Sequence, residues 1–186
     1  MIKKAYLLVF FSVAVVLFGC SKLKSLTNIE VDIPYNMQTD PYDIVDSSVH
    51  LPGGGQYFSL PSFAIPTNSK QYLSQYNTST DKINSVKLSN LSMNIIQPTN
   101  GNFNFIKKVE VYISANGLPK IQVAANENIG LNVNSVTLTD TTADLKSYFL
   151  ADTMYLQINA FFTSPPAPHT QINVNATMHL SANPLN

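Results

Sequence analysis

Ile106-Lys107-Lys108-Val109-Glu110-Val111-Tyr112-Ile113-Ser114-Ala115-Asn116-Gly117-Leu118-Pro119-Lys120-Ile121-Gln122-Val123-Ala124-Ala125 reads as a β-hairpin. Val109, Val111, Ile113 and Ala115 fall on one side of an extended chain and Lys108, Glu110, Tyr112 and Ser114 on the other, the period-two alternation of a half-buried strand. Asn116-Gly117 suits two consecutive positive φ angles, so a type I′ turn is expected, after which Ile121, Val123 and Ala125 return.

The same alternation recurs to either side. Toward the C-terminus, Met154 to Phe162 and Ile172 to Leu180 predict two long strands joined by the proline loop Ser164-Pro165-Pro166-Ala167-Pro168. Val133 to Thr139 predicts another strand, followed by a short helix opened by Asp140 as cap, with Thr141 and Asp144 in capping-box spacing and Leu145, Tyr148 and Phe149 as its apolar stripe. Toward the N-terminus, Val86 and Leu88 alternate in one phase and Leu91, Met93 and Ile95 in the other, so a β-bulge is expected at Ser89-Asn90, with Asn100-Gly101 as the following turn. Ser69 to Tyr76 predicts a short helix crossing between sheets, with Asn68 or Ser69 as its cap. Tyr57 to Leu60, Phe63 to Ile65 and the alternating Ile29, Val31 and Ile33 complete the set. About seven to nine strands and two short helices imply an all-β fold, an antiparallel β-sandwich, immunoglobulin-like or similar, with a barrel as the rival architecture. Ile83 to Leu88 and Val133 to Leu138 are similar, but the likeness ends there and implies no duplication.

Residues 1–28 follow other rules. Lys3 and Lys4 precede an apolar run from Ala5 to Val16 broken only by Ser12, and Leu17-Phe18-Gly19-Cys20 closes it at the chain's sole cysteine. The run is shorter than the ~20 residues a membrane span needs. In these residues the chain resembles bacterial lipoprotein precursors, departing from the usual pattern only at Phe18, and it is similar to small envelope lipoproteins of Bacteroidota. The resemblance implies that residues 1–19 are a cleaved signal helix outside the fold and that Cys20 carries the lipid, palmitate or a related acyl chain. Residues 20–28 are then a tether and 29–186 a single β-sandwich domain. One acyl chain holds a protein only marginally, whereas two or three hold it firmly. Ser21 stands where an inner-membrane retention signal would place aspartate, which favours the outer membrane, on its periplasmic or surface face.

Composition narrows the function. Eleven basic and eleven acidic side chains balance, and loss of Lys3 and Lys4 with the signal leaves the chain mildly acidic. All eleven basic residues are lysines, so the bidentate fork that best reads phosphates and guanine edges is missing, which argues against a nucleic-acid partner. With one cysteine, no internal disulfide can form, and stability must come from packing.

Motifs for chemistry are sparse. His50, His169 and His179 show no metal-ligand spacing, and Asp40, Asp43 and Asp46, spaced by three, do not match a calcium loop and are explained by turn formation. No serine lies in Gly-x-Ser-x-Gly, and Gly53-Gly54-Gly55 lacks the lysine and helix of a phosphate loop and reads as a flexible loop. Glu30, Glu110 and Glu127 offer no pair distinguishable as an acid and a base. Asp140-Thr141-Thr142 and Asp152-Thr153-Met154 resemble the short O-glycosylation acceptor of Bacteroidota, although capping and turn roles also account for them. Tyr35, Tyr42, Tyr57, Tyr72, Tyr76 and Phe103 are candidates either to line a sugar or protein site or to pack. The resulting expectation is a lipid-anchored envelope protein, a non-catalytic binding or structural module with no cofactor or metal, whose partners are the membrane and a protein or glycan. The alternative is an extracytoplasmic hydrolase or glycan-binding accessory.

Overall fold

The computed structural model describes residues 28–40, 51 and 53–183. Ten strands and two short helices follow one another as β1 (Ile29–Gln38), β2 (Gln56–Ser59), β3 (Phe63–Pro66), α1 (Ser69–Gln75), β4 (Ile83–Gln97), β5 (Ile106–Ala115), β6 (Leu118–Asn126), β7 (Ser135–Thr137), β8 (Thr139–Asp140), α2 (Lys146–Leu150), β9 (Thr153–Phe162) and β10 (Gln171–Ala182). A four-stranded sheet runs β1-β10-β4-β7, and a six-stranded sheet runs β2-β9-β5-β6-β8 with β3 also on β9. Every pairing is antiparallel. The β-sandwich expected from the alternation is the fold.

Its connectivity, which alternation could not supply, is that of a jelly roll. β2 and β3 are successive pieces laid along one strand, pairing with Asn159–Phe162 and Thr153–Leu156 of β9. Counted as one strand, and with the two-residue β8 set aside, they leave four strands in each sheet. The chain passes from sheet to sheet in the order of two interlocked Greek keys. Register then assigns the two ends of the sandwich. Ile29 lies beside Ala182, and Ala182 beside Ile83, at one end; Gln38 beside Asn173 and Gln171 beside Gln97 mark the other. The 98–105, 127–134 and 163–170 connections gather at this far end. The 116–117 turn and both helices lie at the near end, where the domain begins at Ile29.

The core fills the space between the sheets. Along β10 every second residue from Ile172 to Ala182 is buried, and Val109, Val111, Ile113 and Ala115 of β5 meet them from the opposite sheet. Phe103, Phe149 and Phe162 are wholly inside, each removing enough apolar surface to contribute on the order of 2–3 kcal/mol. The predicted bulge is present: Thr177 pairs with Asn90 and Met178 with Leu88, so Ser89 is the extra residue and the alternation changes phase there. Pro34 lies inside β1, a strand at the sheet edge, where its missing N–H removes no ladder bond from a neighbour.

Four local expectations are corrected. The 116–117 turn has positive φ at Gly117 (75°) but not at Asn116, so it is not type I′; a bulge at Pro119-Lys120 supplies the extra twist. Helix α2 begins at Lys146, because Asp140 is spent in β8 and Thr142 takes φ 60°. Asp144 does the capping, its Oδ1 accepting from the backbone N–H of Lys146 and of Val86, both at 3.1 Å. The glycine run is conformationally specified: Gly54 and Gly55 hold φ 115° and 94°, and a β-carbon on Gly55 would lie 2.5 Å from the Phe162 carbonyl oxygen. Asn68 precedes α1 with φ 51° and makes no side-chain cap bond.

Candidate functional site

Three surfaces could meet a partner, and the residue types that build them differ. On the outer face of the six-stranded sheet, side chains alternate outward with buried Met154, Leu156, Ile158, Ala160 and Phe162 along β9. Tyr155 (41% exposed) and Tyr57 (46%) are the open rings of this face. Tyr57 meets Phe161 edge-on at 5.1 Å, a contact that favours one orientation of its ring. Between them, the Tyr112 hydroxyl donates to Glu110 Oε2 at 2.9 Å, and the Lys120 ammonium lies 4.7 Å from the Tyr112 ring centroid. That hydrogen bond, then burial, raises the Tyr112 hydroxyl above its ordinary range. Lys108 bonds Glu127 at 2.8 Å, which raises the ammonium's pKa. Phe161 and Tyr155, six residues apart on one strand, are about 20 Å apart along the sheet.

On the outer face of the four-stranded sheet, amides form a lattice. Asn36 Nδ2 and Asn173 Nδ2 donate to Asn175 Oδ1 at 2.6 and 3.3 Å, and Asn175 Nδ2 donates to Asn94 Oδ1 at 3.2 Å. Toward the near end the face becomes charged. His179 Nδ1 lies 2.8 Å from Asp32 Oδ1, and Nε2 lies 2.9 Å from Glu30 Oε2. The bond to Asp32 leads in raising the imidazole's pKa, followed among the raising contacts by the bond to Glu30. The two ring nitrogens face opposite carboxylates, so the three groups do not converge on a point. Among the described residues no group of three His, Cys, Asp or Glu side chains is arranged to hold a metal ion.

The third surface is a cleft of about 280 Å³ at the far end, between the loop after β4 and the loop before β10. Asn100, Asn102 and Asn104 form one wall, and Ser164 and Thr170 the other. Ile95, Pro98, Phe105, Pro165 and Ala167 supply its apolar surface. Pro98 also borders a second depression of about 340 Å³ with Gln97, Thr99, Pro168 and His169. Hydrogen bonds fix the walls: Gly101 N–H to Pro98 O at 2.8 Å, Asn132 N–H to Asn104 Oδ1 at 2.6 Å, and Thr170 Oγ1 to Ala167 O at 2.6 Å. Gly101 is required, since a β-carbon there would approach Ile95 Cγ2 to 2.5 Å.

The residues singled out from the sequence are scattered over the molecule. Cys20, Tyr42, Asp43, Asp46 and His50 lie outside the described residues. Phe103 is core, and Tyr35 is partly buried, its hydroxyl raised in pKa by burial and then by Tyr72. Tyr57 and Tyr76 are exposed, but Tyr76 stands beside α1, apart from the sheet faces. Glu30 belongs to the four-stranded sheet and Glu110 to the six-stranded one. Sequence reasoning passed over Tyr155, Phe161 and the cleft asparagines. The outward phase of β9 would have found the first two; nothing local marks the third, which depends on two loops 60 residues apart meeting.

No protein-family model matches the chain, and no curated protein matches it in sequence. Among solved structures, the decameric BFDV capsid protein is 10% identical with a TM-score of 0.31, covering 83% of this chain and 96% of that one. Desmodium yellow mottle tymovirus is 12% identical with a TM-score of 0.26 and 83% of each chain covered. Turnip yellow mosaic virus at 100 K is 14% identical with a TM-score of 0.27, covering 83% of this chain and 95% of that one. Likeness at this level carries no argument about function.

Proposed function

We propose that this chain is a lipid-anchored protein of the bacterial cell envelope, held in the outer membrane through Cys20, and that its sandwich is a non-catalytic binding module. The signal order around Cys20 supports the anchor, and the start of β1 at Ile29 supports a short tether, reaching at most ~3.5 Å per residue. The observation that carries the binding role is the outer face of the six-stranded sheet, where Tyr57 and Tyr155 present open rings among amides and paired charges. Tyr57 already meets a neighbouring ring, so its contact area comes at reduced entropic cost. A glycosidase of the two-carboxylate kind would need its carboxylates to converge on a common point. Glu30 is engaged with His179, Glu110 with Tyr112 and Glu127 with Lys108, in three separate places.

Growing cells with an alkyne fatty acid tests the anchor: the wild-type chain should carry the label and fractionate with membranes, and Cys20→Ala should do neither. Equal labelling of both chains would refute it.

A further inference from the structure

We propose that the far-end cleft is a binding site for a neutral saccharide. This deepens the binding-module reading by naming a ligand class and a second surface. The placement of the cleft away from the membrane rests on the lipid anchor; its ligand chemistry does not.

Position comes from the topology. If the chain is tethered just before Ile29, β1 runs outward from the bilayer for ten residues, about 34 Å, to Gln38. Among the described residues, the 98–105 and 163–170 loops, which flank Gln97 and Gln171 beside the end of β1, therefore lie with the 127–134 connection at the end of the domain opposite the tether. A cleft there faces outward into the surroundings.

Chemistry comes from the lining. Among the described residues no Asp, Glu or Lys borders either depression, and His169, the one ionisable lining group among them, belongs to the outer one. Among those residues the inner cleft offers an acidic ligand no cation and a cationic one no carboxylate. Amides and hydroxyls instead stand on both walls. The Asn100 amide and the Ser164 hydroxyl have no hydrogen-bond partner among the described residues and are exposed. Apolar surface from Ile95, Pro98, Phe105, Pro165 and Ala167 is interspersed with those polar groups. A sugar ring matches that pattern, with hydroxyls around its rim for amides that both donate and accept, and C–H faces for proline and phenylalanine edges. A peptide would want a deeper apolar hole for a side-chain anchor. The volumes, about 280 and 340 Å³, stand near the lower end of the ~300–1,000 Å³ typical of ligand sites and suit one or two sugar units. The walls are already fixed by the bonds of Gly101, Asn104 and Thr170, so binding orders little additional chain.

The full-length lipoprotein, purified in a detergent that contains no sugar, would be applied to an array of neutral oligosaccharides, acidic oligosaccharides and proline-rich peptides. Any hit would then be titrated calorimetrically. One or more neutral oligosaccharides should bind, Asn100→Ala should weaken binding at least fivefold, and Ser164→Trp, which fills the cleft from an exposed wall, should abolish it. Lys70→Ala, at an exposed position of α1 at the opposite end of the domain, should leave it unchanged. Circular dichroism of each variant checks folding. Binding only to acidic glycans or to peptides, no binding at all, or binding that responds to Lys70→Ala but not to Asn100→Ala would overturn the proposal. Loss of fatty-acid labelling as an expectation would leave this result standing, since the array measures the cleft and the label measures the anchor.

Discussion

A β-carbon at Gly55 would press on the Phe162 carbonyl and the Phe161 ring, in a backbone already at φ 94°, whereas Gly53 has open space and no positive φ. Left-handed backbone alone costs a side chain ~1–2 kcal/mol, so Gly55→Ala should lower the unfolding free energy by more than about 2 kcal/mol in urea titrations while Gly53→Ala leaves it within about 0.5. Gly117→Val has room for its side chain but the wrong φ, and should cost about 1–2 kcal/mol. His179 gives a pH signature. Asp32, then Glu30, hold the imidazolium in the folded state, against the cost of its partial burial, with Lys87 of β4 as its cross-strand neighbour. A raised folded pKa means that the contribution is complete below the unfolded value of about 6.5 and is lost as pH rises through the higher folded value. The urea midpoint of the wild type should therefore fall, relative to His179→Gln, on going from pH 5.5 to pH 8.5; parallel behaviour of the two proteins would show that the ring carries no such linkage. The effect should be small, because the imidazole is 42% exposed.

Individual elements show where local pattern sufficed and where it did not. Strands β5, β9 and β10 were legible because one buried face imposes a period of two, and the slip at Ser89 was legible because a bulge must change that period. The bulge on β6 was not: Val123 and Ala124 are both buried, so alternation fails where Val111 pairs with Ala124 and Tyr112 with Gln122. Helix α2 was misplaced by several residues for a related reason. Its cap, Asp144, also accepts from Val86, 58 residues earlier, and that bond, together with Leu145 N–H to Val86 O, fixes where the chain can turn into a helix. Asp144→Ala should thus cost about 1–2 kcal/mol of stability by calorimetry, more than an isolated five-residue helix would imply, because it leaves two backbone donors without an acceptor.

For the molecule as a whole, one core serves both sheets and no internal disulfide assists it, so a chain beginning after Cys20 should unfold in one cooperative step that reductant does not alter, with a β-dominated circular dichroism spectrum. Phe149→Ala, at 0% exposure on the buried side of α2, should lower that stability by about 3–5 kcal/mol. Alternation along the chain determined by itself that the fold is all-β, with a sandwich favoured over a barrel, and which residues of the regular strands face inward, because burial of one sheet face is a local constraint repeated every second residue. Composition likewise determined, through the lack of arginine, what the surface is ill suited to grip. Only the tertiary structure decided which strands are neighbours, and hence the jelly-roll order, since pairing depends on contacts between segments far apart in sequence. It alone brought Tyr57 beside Phe161, set His179 between two carboxylates of β1, and closed a cleft between loops that begin at Pro98 and Thr163. Side chains at a site need share no periodicity, and so leave no local trace.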